Sequence, residues 1–137
     1  MYADIEGTLK LWATATASIA SQVTAGSRTN IYLAMPAASP LPALIIQRVG
    51  GGLVGTGDLP GDMARISFDC WGTSRPQALA LSQALVTALD DLGPAGGWSL
   101  PGIRLETAEI ALWLWQADTT TDAARYIVDA RIWSVSA

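Results

Sequence analysis

The stretch from Met63 to Trp71 alternates apolar and polar residues, which predicts a half-buried β-strand. Its inward face would carry Ile66, Phe68 and Cys70. Its outward face would carry Arg65, Ser67, Asp69 and Trp71. A sheet that contains this strand is therefore expected to have one apolar face and one face of mixed character.

A helix is predicted directly after this strand. Ser74 and Gln77 have the spacing of a capping box, and Pro76 is tolerated in the first helical turn. Apolar residues at steps of three and four then form one stripe: Ala78, Leu81, Leu85, Leu89 and Leu92. Gly93-Pro94 ends the helix, and the stripe must cover a sheet face.

The N-terminal segment predicts another helix, capped by Asp4 and ended by Gly26. One face of about five turns is apolar. Its members are Ile5, Leu9, Trp12, Thr16, Ile19 and Val23.

Strands are predicted at four further places. A short one lies at 31–35, a buried one at 43–49, and two long alternating ones at 103–115 and 125–135. The order of elements favours an α+β fold in a single domain, 1–137. We expect an antiparallel or mixed β-sheet with two α-helices packed on one face.

The second face of this sheet has no helix to cover it. Strict alternation would place ions and large aromatic residues there: Arg65, Ser67, Asp69, Trp71, Glu109, Trp113, Trp115, Arg125, Asp129, Arg131 and Trp133. Such a mixture is typical of a protein interface with a charged surround. Between subunits, the ionic residues would set the register.

The composition also favours a surface made for a partner. Of 137 residues, 50% are hydrophobic and only 15% are charged, and there are six Trp against one Phe. A net charge of −4 without a basic cluster argues against a nucleic-acid-binding surface. The single cysteine, Cys70, excludes an internal disulfide and is expected to be a small buried hydrophobic residue. We expect no signal peptide and no membrane-spanning segment.

The sequence offers little for catalysis. It has no histidine, which removes the usual general base and the commonest metal ligand. The carboxylate pairs Asp90/Asp91 and Glu106/Glu109 are expected to be solvated at a helix end and on a strand edge. The glycines at 50–55 formally match a dinucleotide fingerprint, but no helix follows them. We therefore predict no enzymatic activity, no cofactor and no metal.

The glycine-rich loop 50–62 has two open interpretations. It is either a flexible arm that becomes ordered on a neighbouring subunit or a plain hairpin tip. In the first case the apolar residues Leu53, Val54 and Leu59 would anchor the arm, and Asp58 would lie in the same interface.

Three stretches resemble the tail terminator (tail completion) proteins of long-tailed bacteriophages. They are Leu-Pro-Ala-Leu-Ile-Ile-Gln-Arg at 41–48, Phe-Asp-Cys-Trp-Gly-Thr-Ser-Arg-Pro-Gln-Ala at 68–78, and Ala-Arg-Tyr-Ile-Val-Asp-Ala-Arg-Ile at 124–132. The order of elements extends the resemblance over nearly the whole chain, and related neck-ring proteins share that order.

The resemblance implies a structural virion protein at the tail–neck junction, made in the cytoplasm of a host bacterium. It implies a homohexameric ring that caps the head-proximal end of the tail tube, ends polymerisation of the tube protein and offers its other face to the head connector. Genome DNA would pass through the lumen without specific binding, and no membrane is implied. A ring needs two different contact patches on each subunit. Leu53, Val54 and Leu59 are expected to contact an adjacent ring or subunit, and the second sheet face is expected at the subunit interface or the lumen.

Three alternatives stay open. The chain could be another neck-ring protein, or a small regulatory domain that uses the sheet face as an apolar ligand pocket. A metal-dependent hydrolase acting through Asp58 and Asp62 is the third, and a melting temperature that rises with Mg²⁺ or Mn²⁺ would favour it.

Overall fold

The computed structural model describes residues 4–37, 40–54, 61–117 and 123–136, without the side chains at 53, 54 and 117. In chain order the elements are α1 (Ile5–Ala15), α2 (Ala17–Val23), β1 (Thr24–Ala25), β2 (Arg28–Thr29), β3 (Ile31–Tyr32), β4 (Ala43–Val54), β5 (Gly61–Gly72), α3 (Arg75–Leu92), β6 (Trp98–Leu100), β7 (Ile103–Ala117) and β8 (Ala124–Ser136). The predicted α+β class is confirmed.

Six strands form one mixed sheet in the order β3-β4-β5-β8-β7-β6. Every neighbouring pair is antiparallel except β3 and β4, which are parallel. The short strands β1 and β2 form a separate two-stranded ribbon, and Gly26 turns the chain between them at a φ of 63°. Neither this ribbon nor β6 was predicted from the sequence.

All three helices lie on one face of the six-stranded sheet, here called the helix face. α3 packs on β5, β8 and β7, and α1 packs on β3 and β4. The predicted inward residues Ile66, Phe68 and Cys70 are completely buried against this layer. The predicted stripe of α3 is buried along its whole length, from Ala78 to Leu92.

The start of α3 follows the predicted cap with one change. The hydroxyl of Ser74 accepts a hydrogen bond from the Gln77 backbone N–H at 3.3 Å. Gln77 Oε1, however, accepts from the backbone N–H of Thr73 at 2.7 Å. The side chain therefore reaches one residue further back than a capping box requires.

The prediction of one continuous N-terminal helix is wrong, because the chain forms two helices there. Asp4 caps α1 as expected, accepting from Gly7 N–H at 3.0 Å. Thr16 then adopts an extended conformation (φ −90°, ψ 101°) and separates α1 from α2. The apolar face continues across the break, since Trp12 and Ile19 on its two sides are both buried. Because both helices pack on the same core, their apolar residues keep the same spacing across the interruption.

The β4 strand is longer than predicted and runs through the glycines as far as Val54. Gly50–Val54 pairs with Gly61–Arg65 of β5, after a bulge that leaves Val49 unpaired. At Gly51 φ is +99°, and a Cβ there would lie 2.0 Å from the carbonyl oxygen of Met63. Only glycine fits this backbone position, which is why a loop-like sequence continues the strand.

Candidate assembly surface

The sheet face opposite the helices, here called the open face, carries an ionic cluster near one end of the β5–β8 ladder. Arg125 of β8 stacks its guanidinium over the ring of Trp71, 4.7 Å from the centroid. Its Nη1 lies 3.7 Å from Asp69 Oδ2, and its buried Nε has no hydrogen-bond partner among the described residues. The pKa of Asp69 is raised, mainly because the carboxyl is partly buried. The positive charge of Arg125 lowers this pKa, and the negative charge of Asp129 raises it.

A second group of charges lies further along the open face, four residues from Asp69 on β5 and two residues from Asp129 on β8. Arg65 and Arg131 stand directly opposite each other in the β5–β8 ladder. Arg131 Nη1 pairs with Glu109 Oε1 of β7 at 3.1 Å, whereas Arg65 has no ion pair in the described part of the chain. Like charges in directly opposite positions destabilise a sheet. An acidic or hydrogen-bonding partner at Arg65 would relieve this repulsion.

Beside these arginines the open face has an apolar groove of about 640 Å³. Trp133 and Val135 of β8 line it together with Thr107 of β7 and Gly61 of β5. Glu106 and Glu109 also line it. The groove therefore adds apolar surface next to the charged part of the open face.

Two predicted members of the open face lie on the helix face instead. A bulge leaves Ala111 unpaired between the pairs Ile110↔Ala130 and Leu112↔Asp129, so the alternation of β7 shifts by one residue. Trp113 and Trp115 consequently pair with Val128 and Tyr126 of the buried row. Trp113 donates to Ser82 of α3 at 3.0 Å, and Trp115 packs on Tyr126 with centroids 5.3 Å apart.

The same bulge turns Leu112 and Leu114 towards the open face, beside Asp129 and Ile127. Leu112, Trp113 and Leu114 are 41%, 42% and 37% exposed. Sequence analysis missed both leucines as surface residues. Every residue from Ile110 to Trp115 is apolar, so alternation could not assign the two faces of this segment.

The outer edge of β7 has no strand beside it over most of its length. Among the described residues, β6 pairs with β7 only at Ile103–Leu105. The edge from Glu106 to Ala117 is therefore left with unpaired backbone groups, next to the exposed leucines. A long exposed apolar edge is a site where another strand can add.

Comparison with known proteins supplies the family. The family model for tail completion protein gp17 matches residues 9–134. This chain belongs to that family. Its members are structural proteins of the phage tail, so the resemblance seen in the sequence is confirmed at the level of family.

A solved structure shares the fold of this tail completion protein. It is a chain from the virion of the native gene transfer agent particle, with a TM-score of 0.56 and 22% sequence identity. The match covers 95% of this chain and 91% of that one. No curated protein matches the chain.

The remaining predicted interface residues of this family member fall into two groups. Arg65, Asp69, Trp71, Arg125, Asp129, Arg131 and Trp133 lie on the open face, as predicted. The arm residues Asp58 and Leu59, and the side chains of Leu53 and Val54, lie outside what the structure describes. The interface role of all these residues stays a prediction.

At the base of the arm the chain has a tight ion pair. Arg48 Nη1 and Nη2 bind the two carboxylate oxygens of Asp62 at 2.6 and 2.8 Å. Arg48 Nε also donates to Gly50 O at 3.1 Å. The hydrogen bond to Asp62 raises the pKa of Arg48 despite burial. These bonds fix the start of the glycine-rich segment on β5.

In the part of the chain that the structure describes, no three His, Cys, Asp or Glu side chains come together to hold a metal ion. Cys70 is buried, and burial raises the pKa of its thiol above the ordinary value. The negative charge of the neighbouring Asp69 raises this pKa as well. The described helices include none long and apolar enough to cross a membrane.

Proposed function

We propose that this tail completion protein forms a homohexameric ring that caps the head-proximal end of the tail tube. The ring ends polymerisation of the tube protein on one face and joins the tail to the head connector on the other. It is made in the host cytoplasm, becomes part of the neck of the virion, and has no enzymatic role.

The observation that carries this proposal is the uncovered strand β7. Residues 111–114 are all exposed, and three of them are large and apolar. Exposed apolar surface of this kind marks a protein interaction site. The mixture of Trp71, Trp133 and charged residues on the open face supports the same conclusion, because aromatic and arginine side chains are enriched in interfaces.

Charge balance on the open face fits passage of DNA. Arg65, Arg125 and Arg131 are matched there by Asp69, Glu109 and Asp129. A wall without net positive charge does not trap phosphates, since nonspecific DNA binding needs a surplus of Lys and Arg. In the proposed ring, this face can line the lumen without holding the genome.

Light scattering at several concentrations, alone and with the tube protein, tests the proposal. We expect a closed six-subunit species and tail tubes that stop growing when the ring is added. A chain that stays monomeric in both conditions and leaves tube length unchanged would contradict the ring.

The groove beside Trp133 favours one second candidate, a small apolar ligand. Its volume of about 640 Å³ falls in the range of ligand sites. A monomer whose melting temperature rises with an added apolar compound, and falls back in Trp133→Ala, would support that function.

A further inference from the structure

We propose that neighbouring subunits join strand to strand, with Ile110–Trp115 of β7 in one copy pairing antiparallel with Gly50–Val54 of β4 in the next. The inference rests on the proposed ring and names the contact that closes it. The sheet would then continue from subunit to subunit.

Both segments lie on sheet edges that end without a neighbour. On β7, the pairing with β6 stops at Leu105. On β4, the pairing with β3 covers only Leu44 and Ile45. Further along β4, Glu6 Oε2 of α1 accepts a hydrogen bond from the Arg48 N–H at 3.2 Å. Beyond that residue, no strand of the described chain covers the edge of β4.

Exposed apolar residues concentrate at these two edges. Among the described residues, only five large hydrophobic side chains are exposed. Leu112, Trp113 and Leu114 belong to the β7 edge, and Val49 stands immediately before the β4 segment. The fifth, Leu11, lies on α1. Two separate patches of this kind are what a head-to-tail contact requires of each subunit.

The two segments are also compatible in charge and size. Neither 49–54 nor 110–117 contains a charged residue, so neither carries the Lys or Glu that protects natural edge strands. Gly50, Gly51 and Gly52 present no side chains, whereas β7 presents leucines and tryptophans. Large residues opposite glycines can pack over the bare backbone, as aromatic residues do in cross-strand rescue of glycine.

The strand directions give an antiparallel contact. β4 runs antiparallel to β5, β5 to β8, and β8 to β7, so β4 and β7 point in opposite directions. Gly52 stands level with Thr107 across the sheet, so contact with Leu112 requires strands tilted to the ring axis, as in a barrel, which offsets neighbouring copies along the strands. Rotation about that axis preserves strand direction from copy to copy. β7 of one subunit therefore meets β4 of the next antiparallel, with helices on one side of the ring wall and open faces on the other.

Cysteine cross-linking tests the contact directly. A Cβ at Gly52 has open space around it, and the native Cys70 is buried, so Gly52→Cys combined with Leu112→Cys adds two accessible thiols. Because the register is to be determined, Ile110→Cys and Leu114→Cys replace Leu112→Cys in two parallel variants. Under oxidation we expect at least one pair to give a covalent ladder up to the ring, and each single variant to give none.

A charge placed on the edge gives an independent test. Leu112→Lys with Leu114→Lys should abolish the ring, measured by light scattering, while the unfolding midpoint at low concentration stays near that of the wild type. Leu11→Lys is the matched control, since Leu11 is 54% exposed and lies on α1 rather than on either strand. It should assemble as the wild type does.

The outcomes separate this contact from the proposed function. A wild-type ring in which none of the three pairs cross-links, or a ring that survives both lysines, overturns the edge pairing and leaves the ring standing. Cross-linked dimers from Leu112→Cys alone would mean twofold β7–β7 pairing and also overturn it. A chain that is monomeric alone and with the tube protein, and that gives no cross-link, overturns both proposals.

Discussion

Trp113 of β7 donates a hydrogen bond from Nε1 to the hydroxyl of Ser82 on α3 at 3.0 Å. Ser82 is completely buried, and its hydroxyl donates in turn to Leu79 O at 2.8 Å. Trp113 nevertheless keeps 42% of its surface exposed. One indole thus connects the helix layer to the strand that forms the unpaired edge.

The first prediction concerns this bond. Ser82→Ala and Trp113→Phe should each lower the free energy of unfolding, and the double variant should lose less than the sum. We expect a coupling of about 0.5–1.5 kcal/mol, the usual net value of a hydrogen bond. Urea unfolding at one fixed protein concentration measures it. Trp133→Phe, on the open face, is the control and should not couple to Ser82→Ala.

The second prediction concerns the bulge at Ala111. Deletion of Ala111 should be tolerated, because Ile110 and Leu112 already face opposite sides of the sheet and would become regular neighbours. Deletion of Ala108 should be worse, since continuing the alternation would move Glu109 to the helix face. Burying that carboxylate costs at least about 2 kcal/mol more. Thermal unfolding of both deletion variants measures the two losses of stability. Equal losses would contradict this account of the bulge.

These strands also show which sheet faces could be predicted from the sequence and which could not. On β5 and β8 enough outward positions are polar to assign both faces, namely Arg65, Ser67 and Asp69 on β5 and Arg125, Asp129 and Arg131 on β8. Phe68 and Val128 are accordingly buried. On β7, every residue from Ile110 to Trp115 is apolar, and a bulged alanine fits either face. The pattern therefore assigned Trp113 and Trp115 to the wrong side.

Two other features depend on partners far away in sequence. Glycines disfavour strands, so 50–54 was predicted as loop, but pairing with β5 and the Arg48–Asp62 ion pair overcome that preference. The unpaired edge of β7 follows from the strand order of the described sheet, in which the short β6 is its outer neighbour. Residue patterns within one strand carry no information about how long its neighbour is.

The third prediction is that Asp62→Asn lowers the free energy of unfolding by about 1–3 kcal/mol. The Asp62 side chain is only 10% exposed and binds Arg48 through both oxygens, so the change leaves a half-buried guanidinium without its charge partner. Chemical unfolding measures the loss.

A matched ion pair provides the control. Arg104 and Glu106 are also 2.6 Å apart, but the Glu106 side chain is 34% exposed. Glu106→Gln should cost at most about 1 kcal/mol, because solvent screens an exposed pair. Equal losses at both positions would mean that burial does not strengthen the Arg48–Asp62 pair.

The fourth prediction concerns Cys70. Its side chain is completely buried and burial raises its pKa, so a thiol reagent should label it only when the structure opens. Leu11→Cys provides an exposed thiol in the same protein. We expect Cys70 to react at least roughly a thousandfold more slowly, in line with the stability of a folded domain. Comparable rates would show that the strand opens freely.

The last prediction is a pH dependence centred on Asp69. Burial raises the pKa of the folded carboxyl above its value of about 3.9 in an unfolded chain. Between these two values the folded state binds more protons than the unfolded state, so the free energy of unfolding falls as pH rises through the window.

Asp69→Asn removes this decline: the variant should resemble the wild type below about pH 4 and exceed it in stability at neutral pH. Urea unfolding across pH measures the difference, and Asp90→Asn, on the exposed side of α3, controls for the change in net charge. A variant that is less stable than the wild type at neutral pH would mean that the attraction of Arg125 outweighs the burial of Asp69.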